Sequence, residues 1–202
     1  DRMKSLVSVS SEAIGEPGAI PEEELLKLCS VDAPKPWEII AITFTNKAAG
    51  ELRERLEVAC GDAGKDIWAH TFHTACTRIL RRNIEKLGYS KDFTIYDEDD
   101  KKKLLVSVIR DCGFDEKKFD PRGVIREIAR AKDDLLNPED YAYQAGDDYY
   151  KKTVARFYAE YQKRMRAANA LDFDDIIFRT VELLQDFADV RAYYQQKFRY
   201  VL

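Results

Sequence analysis

The stretch Ala41-Ile-Thr-Phe-Thr-Asn-Lys-Ala-Ala49 decides the fold of this chain. The apolar, β-branched run that enters it predicts a buried strand ending at Thr43-Phe44. Alanines and leucines at helical spacing follow, up to Gly61, and predict a helix that begins at Thr45 or Asn46. Because helix N-termini at the carboxyl ends of strands attract phosphate, the stretch is a candidate phosphate-binding turn. An ordinary capped strand-to-helix turn is the alternative.

A second unit of the same kind follows along the chain. Asp66-Ile-Trp-Ala-His-Thr-Phe72 predicts a strand, and the residues from about Thr74 to Leu87 predict a helix. Two such units in succession are typical of a parallel α/β sheet, in which both strands end at one edge. We therefore expect the polar turns at residues 43–47 and 71–74 to lie side by side.

Each turn also carries an aromatic residue, Phe44 in the first and Phe72 in the second. These side chains are either core residues or exposed platforms on which nucleobases stack. The net charge of −4 decides nothing here, since nucleic-acid binding would then depend on local basic patches.

Composition sets further limits. The chain of 202 residues is 45% hydrophobic and 35% charged, as in a globular protein with adequate core material. Its apolar runs are too short to span a bilayer, so no membrane partner is expected. Scattered cysteines without a C-x-x-C pair favour reduced thiols in a cytoplasmic protein. They are Cys29, Cys60, Cys76 and Cys112.

A pattern of helical spacing runs from residue 92 to residue 170 and predicts a helical insertion. Its charge is segregated. Residues 101–132 carry ten Lys/Arg and five Asp/Glu, residues 133–148 carry six Asp/Glu, and residues 151–166 carry six Lys/Arg and one Glu. Such runs are either solvated helix faces or a surface that meets a phosphate backbone.

Two groups of potential metal ligands have simpler explanations. Three of these residues lie on a predicted strand and in the turn and helix after it, so they would not converge on zinc: His70, His73 and Cys76. Three carboxylates could bind a metal ion, but at a predicted helix start they are explained as caps and complements of the helix dipole: Asp172, Asp174 and Asp175.

The last part of the chain returns to the α/β pattern. Asp172 is predicted to cap one helix, Asp189 to cap another that runs through Gln196, and Phe198-Arg-Tyr-Val-Leu202 to form a strand. A chain that stops on an apolar strand is typical of a truncated sheet. The open edges of such a sheet could pair two copies into a homodimer.

Three motifs, taken together, resemble those of the superfamily 1 DNA helicases of the UvrD/Rep/PcrA type. Ala41–Ala49 is similar to motif Ia of this family, and Thr71-Phe-His-Thr74 followed by Arg78-Ile-Leu-Arg81 is similar to motif Ib. Ala170-Leu-Asp-Phe-Asp-Asp-Ile-Ile177 resembles the stretch that brings the chain back from the family's helical subdomain. The motifs occur in the family's order and spacing.

This resemblance implies an α/β fold, an incomplete RecA-like parallel sheet of the P-loop NTPase type interrupted by a mostly helical insertion. It divides the chain into a divergent N-terminal segment (1–37), the first part of RecA-like domain 1A (38–91), helical subdomain 1B (92–170) and a truncated second part of domain 1A (171–202).

Members of the family move 3′ to 5′ on single-stranded DNA and unwind duplex DNA with ATP and Mg²⁺. The resemblance therefore implies single-stranded DNA and a duplex junction as partners. It assigns Phe44 to contact with the DNA bases and the three residues after it to contact with the DNA backbone. It also places the second turn beside the path of the single-stranded DNA. The residues so assigned are Phe44, Thr45, Asn46, Lys47, Thr71, Phe72, His73 and Thr74.

The departures from the family pattern bear on activity. The family's phosphate loop and its Asp-Glu magnesium pair have no counterpart in this sequence. We therefore expect a fragment or a defective form of a helicase, with no cofactor of its own, that does not hydrolyse ATP alone. Two alternatives remain: a non-enzymatic nucleic-acid-binding or protein-interaction module built on the helicase framework, and a helicase subunit of a recombination nuclease.

Overall fold

The computed structural model describes residues 33–202. Most of the predicted N-terminal segment 1–37 therefore lies outside the described residues. Within them, strands and helices alternate first, a run of helices follows, and the α/β pattern then returns.

A small parallel sheet carries the predicted first strand at its centre. Strand β1 (Ile39–Thr43) lies between β2 (Trp68–Thr71) and β5 (Tyr200–Val201), and both neighbours run parallel to it. Thr43 lies opposite Thr71 in the register, so β1 and β2 end at the same level. The prediction that both polar turns share one edge of a parallel sheet is confirmed.

Two further strands, β3 (Thr94–Ile95) and β4 (Ala170–Leu171), pair in parallel where the chain enters and leaves the helical region. Eight α-helices complete the described part of the chain. They are α1 (Asn46–Cys60), α2 (Phe72–Asn83), α3 (Glu98–Asp111), α4 (Pro121–Asp133), α5 (Pro138–Gln144), α6 (Tyr149–Ala167), α7 (Phe173–Asp186) and α8 (Ala188–Lys197).

The predicted boundary between the second strand and its helix is wrong by two residues. The strand ends at Thr71, and α2 begins at Phe72 rather than at Thr74. The cause is the Thr71 side chain, whose Oγ1 accepts a hydrogen bond from the backbone N–H of Thr74 at 3.3 Å. Thr71 is thereby the N-cap, and the residues after it are already helical. The α-helix also ends earlier, at Asn83, and a 3₁₀ turn continues to Leu87.

Two predictions near the C-terminus also need correction. The N-cap of α8 is Phe187, and Asp189 lies within the first turn, where its carboxylate pairs with Lys86 at 2.9 Å. The last strand is limited to Tyr200–Val201 rather than Phe198–Leu202, because β1 pairs with this short segment. The predicted cap of α7 by Asp172 is confirmed.

The buried apolar residues form two clusters. The insertion cluster lies among α3, α4, α5 and α6 and includes Leu105, Val108, Ile109, Val124, Phe157 and Met165. The sheet cluster lies among β1, β2, α2, α7 and α8 and includes Ile40, Trp68, Leu80, Ile84, Ile176 and Leu183. Successive residues of β4 divide between them, since Ala170 belongs to the insertion cluster and Leu171 to the sheet cluster. The described chain is thus an α/β protein with an incomplete RecA-like sheet and a helical region between its strands.

Candidate nucleic-acid interface

The first candidate turn is exposed to solvent at the carboxyl end of β1. Phe44 keeps 88% of its surface exposed, and Thr45, Asn46 and Lys47 are exposed as well. The Oγ1 of Thr45 accepts a hydrogen bond from the N–H of Ala48 at 3.1 Å and so starts α1. Capping therefore fixes the backbone of the turn while its other side chains point into solvent.

The second candidate turn is partly built into the fold. Thr71 is buried, Phe72 is 43% exposed, His73 is half-buried and Thr74 is exposed. The hydroxyls of Thr71 and Thr74 lie 2.9 Å apart and share a hydrogen bond. Thr71 thus acts as a cap whose hydroxyl is already engaged, whereas Phe72 and Thr74 are exposed at the surface.

The parallel register brings the two turns together. The rings of Phe44 and Phe72 lie 5.5 Å apart between centroids, with an interplanar angle of 42°. Both helices begin here, and the N–H groups of a first helical turn have no partners within the helix. One edge of the sheet therefore presents aromatic faces beside two positive helix ends and the ammonium group of Lys47.

A further aromatic residue, not among the predicted site residues, extends this surface. Phe173, the first residue of α7, is 48% exposed, and its ring lies 5.7 Å from that of His73 at 65°. We call Phe44, Phe72, His73 and Phe173 the aromatic row. Phe173 falls inside the third motif, but an apolar residue at helical spacing from Ile176 is usually buried, so the spacing gives no sign of its exposure.

His70 lies behind this surface on β2 and is not part of it. Burial, and then the charges of Arg78 and Arg53, lower the pKa of His70, so the imidazole is neutral at pH 7. Its Nε2 contacts the guanidinium of Arg78. Among residues 33–202, no group of three His, Cys, Asp or Glu is placed to hold a metal ion. His70, His73 and Cys76 do not come together as ligands.

Two lysines form ion pairs with the acidic group at the start of α7. The ammonium of Lys132 lies 2.7 Å from Asp172 and 2.9 Å from Asp175, and Lys101 lies 3.4 Å from Asp174. Asp172 and Asp175 also form a reciprocal capping box. Mg²⁺ binds oxygen ligands and would compete with these ammonium groups, so the carboxylates do not fit a magnesium site.

The same ion pairs change the interpretation of the basic block at residues 101–132. Lys101 and Lys132 are buried and face the acidic group, so they belong to neither a solvated face nor a surface for phosphates. Arg122, Arg126 and Arg130 on α4 do lie exposed. The exposed charge of the block is therefore smaller than its composition indicates.

Two findings concern the class of protein rather than the site. Across residues 33–202, every helix is too short or too polar to cross a membrane. The cysteines in this part of the chain, Cys60, Cys76 and Cys112, are free thiols.

A parallel sheet in which β1 and β2 each lead into a capped helix, with a helical region between its strands, defines an α/β protein with an incomplete RecA-like sheet. The chain belongs to the UvrD/REP helicase family. The family model for the UvrD/REP helicase N-terminal domain matches residues 22–202. The predicted membership of the UvrD/Rep/PcrA-type helicases is thereby confirmed.

Three relatives show how far the similarity extends. The chain is 43% identical over 166 residues to the ATP-dependent DNA helicase PcrA of Bacillus subtilis, which is 82% of this chain and 22% of that protein. It is 46% identical over 167 residues to PcrA of Leuconostoc citreum, again 82% and 22%. It is 42% identical over 166 residues to PcrA of Staphylococcus aureus, 82% and 23%. The chain therefore spans less than a quarter of the length of these relatives.

Proposed function

We propose that this chain supplies the surface that binds single-stranded DNA in a 3′-to-5′ ATP-dependent DNA helicase. We call this surface the single-strand grip. The observation that carries the proposal is the aromatic row at the carboxyl edge of the sheet, with the Phe44 and Phe72 rings 5.5 Å apart beside two helix N-termini. Exposed aromatic rings are costly in water and suit stacking on bases. The helix N-termini beside them suit phosphates.

In this proposal the two turns divide the work. Bases of the strand stack on Phe44, Phe72 and Phe173, because every base has a face that a ring can cover. Phosphates lie against the first turn of α1, where Lys47 supplies a positive charge and Asn46 a hydrogen-bond donor. Stacking tolerates any base, so we expect binding with little sequence preference.

The helical region would meet the duplex junction. Arg122, Arg126 and Arg130 are exposed on α4, at spacing that places them along one side of the helix. Guanidinium groups in such a line suit a phosphate backbone. We propose that residues 92–170 act as the helical subdomain 1B between residues 38–91 and 171–202 of domain 1A, in a cytoplasmic DNA-processing protein.

ATP and Mg²⁺ belong in this proposal to the complete helicase. The sequence carries no phosphate loop, and the carboxylates at the start of α7 are paired with lysines, so we expect the 202-residue chain to show no ATP hydrolysis with or without DNA. Turnover that depends on Lys47 would contradict this expectation, because it would place phosphoryl transfer at the edge assigned here to the strand.

The grip can be tested by fluorescence anisotropy with a labelled oligo-dT strand at low salt. Phe44→Ala should weaken binding at least about fivefold, since one base–aromatic stack contributes about 1–3 kcal/mol. Lys47→Ala should weaken binding and lower the slope of log affinity against log salt by about 0.7. The matched control is Val58→Ala, which should leave affinity unchanged. Val58 is exposed and lies on α1, as Lys47 does, but far from the N-terminus of that helix. Equal binding by all four proteins would overturn the proposal.

A second candidate function is protein interaction through the sheet edge. Tyr200, Val201 and Leu202 are exposed, and among the described residues β5 pairs with β1 alone. An apolar strand with one free side is a template for another strand. We propose that two copies can pair here, and light scattering should then show dimers that Val201→Lys abolishes. A monomer at all concentrations would exclude this candidate.

A further inference from the structure

The first turn of α7 is held by charges buried between the two apolar clusters. Lys132 of α4 is 2% exposed, and its ammonium contacts the carboxylates of Asp172 and Asp175 at 2.7 and 2.9 Å. Both carboxylates are buried as well. Charges taken out of water need a fixed partner at close range, so this contact permits little movement between α4 and α7.

Other residues of the helical region complete the arrangement. The hydroxyl of Tyr161 donates to Asp172 at 3.0 Å, and the amide of Gln162 donates to Asp175 at 2.9 Å. Lys101 reaches Asp174 from α3 at 3.4 Å. Three helices of the insertion, α3, α4 and α6, thus contact the side chains of one helical turn.

Phe173 lies within that turn, between the carboxylates of Asp172 and Asp174. Its ring is half-exposed, and its centroid lies 5.7 Å from that of the His73 ring. Asp172 also accepts the N–H of Asp175 at 2.7 Å, and Asp175 accepts the N–H of Asp172 at 3.2 Å. The backbone on both sides of Phe173 is therefore fixed by two carboxylates that Lys132 contacts.

We infer that Lys132 is a positioning residue of the single-strand grip: it holds the first turn of α7 so that Phe173 stands against His73 in the aromatic row. This inference rests on the proposed function for the part that concerns DNA. It assigns the lysine no contact with the strand. It also couples the helical region to the edge of the sheet that binds the DNA strand, since a shift of α4 would displace Phe173.

Apolar burial alone would serve stability equally well at this place. Replacing a buried ion pair by packed apolar residues is often neutral or stabilising, whereas its directional contacts fix one geometry. Lys132 forms two directional contacts at one helix start, and the insertion cluster already packs the rest of α4 through Val124 and Ile128. Orientation of α7 is what the lysine adds.

The test is a double-mutant cycle on the full chain, with oligo-dT affinity as the readout. Phe173→Ala should weaken binding about tenfold. Lys132→Met should weaken it to a similar extent, yet by less than about twofold in the Phe173→Ala background, because the ring that it positions is then absent. Additive losses in the double variant would overturn the inference.

A second readout follows the geometry without DNA. The ring current of Phe173 shifts the imidazole protons of His73 in an NMR spectrum, and Lys132→Met should reduce that shift as Phe173→Ala does. Val108→Ala, which removes apolar volume from the insertion cluster, is the matched control and should leave the shift unchanged. An unaltered shift in Lys132→Met, or an equal change in Val108→Ala, would overturn the inference.

Two provisions keep the outcomes separate. If Lys132→Met does not fold, Tyr161→Phe removes one hydrogen bond to Asp172 and keeps the ring, and it should change the His73 shift in the same direction. Loss of affinity in Phe44→Ala together with full affinity in Phe173→Ala would overturn the inference and leave the proposed function standing. Full affinity in both variants would overturn the proposed function itself.

Discussion

The helical region and the sheet region of this molecule differ in how they treat large apolar side chains. In the helical region Val108, Phe157 and Met165 are fully buried. On α1 of the sheet region Ala49 is buried, while Val58 is almost fully exposed. Phe44, in the turn before α1, is almost fully exposed as well. The helical region thus buries its large apolar side chains in the insertion cluster, whereas the sheet region has the sheet cluster and also leaves large apolar side chains exposed around the start of α1. Stability and binding should therefore respond to different substitutions.

The largest expected effect is on the core side of this comparison. Phe157→Ala removes a ring that lies edge-on to Phe114 and Phe119 and is fully buried. It should lower the free energy of unfolding by about 3–5 kcal/mol in urea titrations. Oligo-dT affinity, measured at a temperature where the variant is folded, should not change. A loss below about 1 kcal/mol would mean that the helical region is not the main apolar core.

The next largest effect is expected at alkaline pH, because the groups buried near α7 titrate there and stability should then fall. Burial alone would lower the pKa of Lys132, but the charges of Asp175 and Asp172 outweigh it and raise that pKa. Burial, and then the charge of Asp172, raises the pKa of Tyr161. Both groups stabilise the fold below their unfolded values of about 10 and lose that contribution as pH rises.

The free energy of unfolding should thus fall above about pH 10, by up to about 1.4 kcal/mol per pH unit for each proton involved. Urea titrations between about pH 8 and pH 11 measure this fall. Tyr161→Phe has no phenol to ionise and should show a shallower slope. Parallel curves for Tyr161→Phe and the parent chain would contradict the assignment.

Smaller effects are expected from the two helix caps on the binding side. Thr45→Ala and Thr71→Ala each remove a hydroxyl that accepts a first-turn N–H, and each should cost about 1 kcal/mol of unfolding free energy. Thr71 is buried and shares a second hydrogen bond with Thr74, so its loss should be the greater of the two. Circular dichroism during urea titration measures both, and Ser at either position should restore the cap.

The smallest effect on stability should come from the residue most exposed at the site. Phe44→Ala removes a ring that is largely in water, so the free energy of unfolding should change by less than about 0.5 kcal/mol. The same substitution is expected to weaken DNA binding strongly. Calorimetric unfolding of the variant beside its binding curve makes the comparison, and a stability loss near that of Phe157→Ala would remove the distinction between the two regions.

Local sequence rules were sufficient for the strand-to-helix turns. The caps Thr45 and Asp172, the parallel pairing of the first two strands and the shared edge all follow from hydroxyls, carboxylates and β-branched residues within a few positions. The same rules misplaced the start of α2 because Thr71 and Thr74 can both cap a helix, and in the structure Thr71 accepts the N–H of Thr74. They misplaced the cap of α8 because Asp189 is engaged by Lys86, from a distant segment.

Burial of charge lay beyond such rules. Lys132 resembles the exposed basic residues around it, and its partner Asp172 lies 40 residues away in the chain. The exposure of Phe173 was unpredictable for the converse reason, since an apolar residue at helical spacing is usually buried. In both cases the deciding neighbour comes from another element, and spacing along one helix carries no information about it.

The pairing of β1 with β5 has a consequence for how the molecule folds. Ile40 pairs with Val201, so the sheet joins residues from the two ends of the described chain. Contacts between such distant residues carry a high loop-closure entropy and slow folding, whereas the helices between them gather local contacts quickly. We expect the helical region to collapse first and to bring β5 to its place beside β1. The edge that carries the aromatic row would then be the last part of the molecule to form.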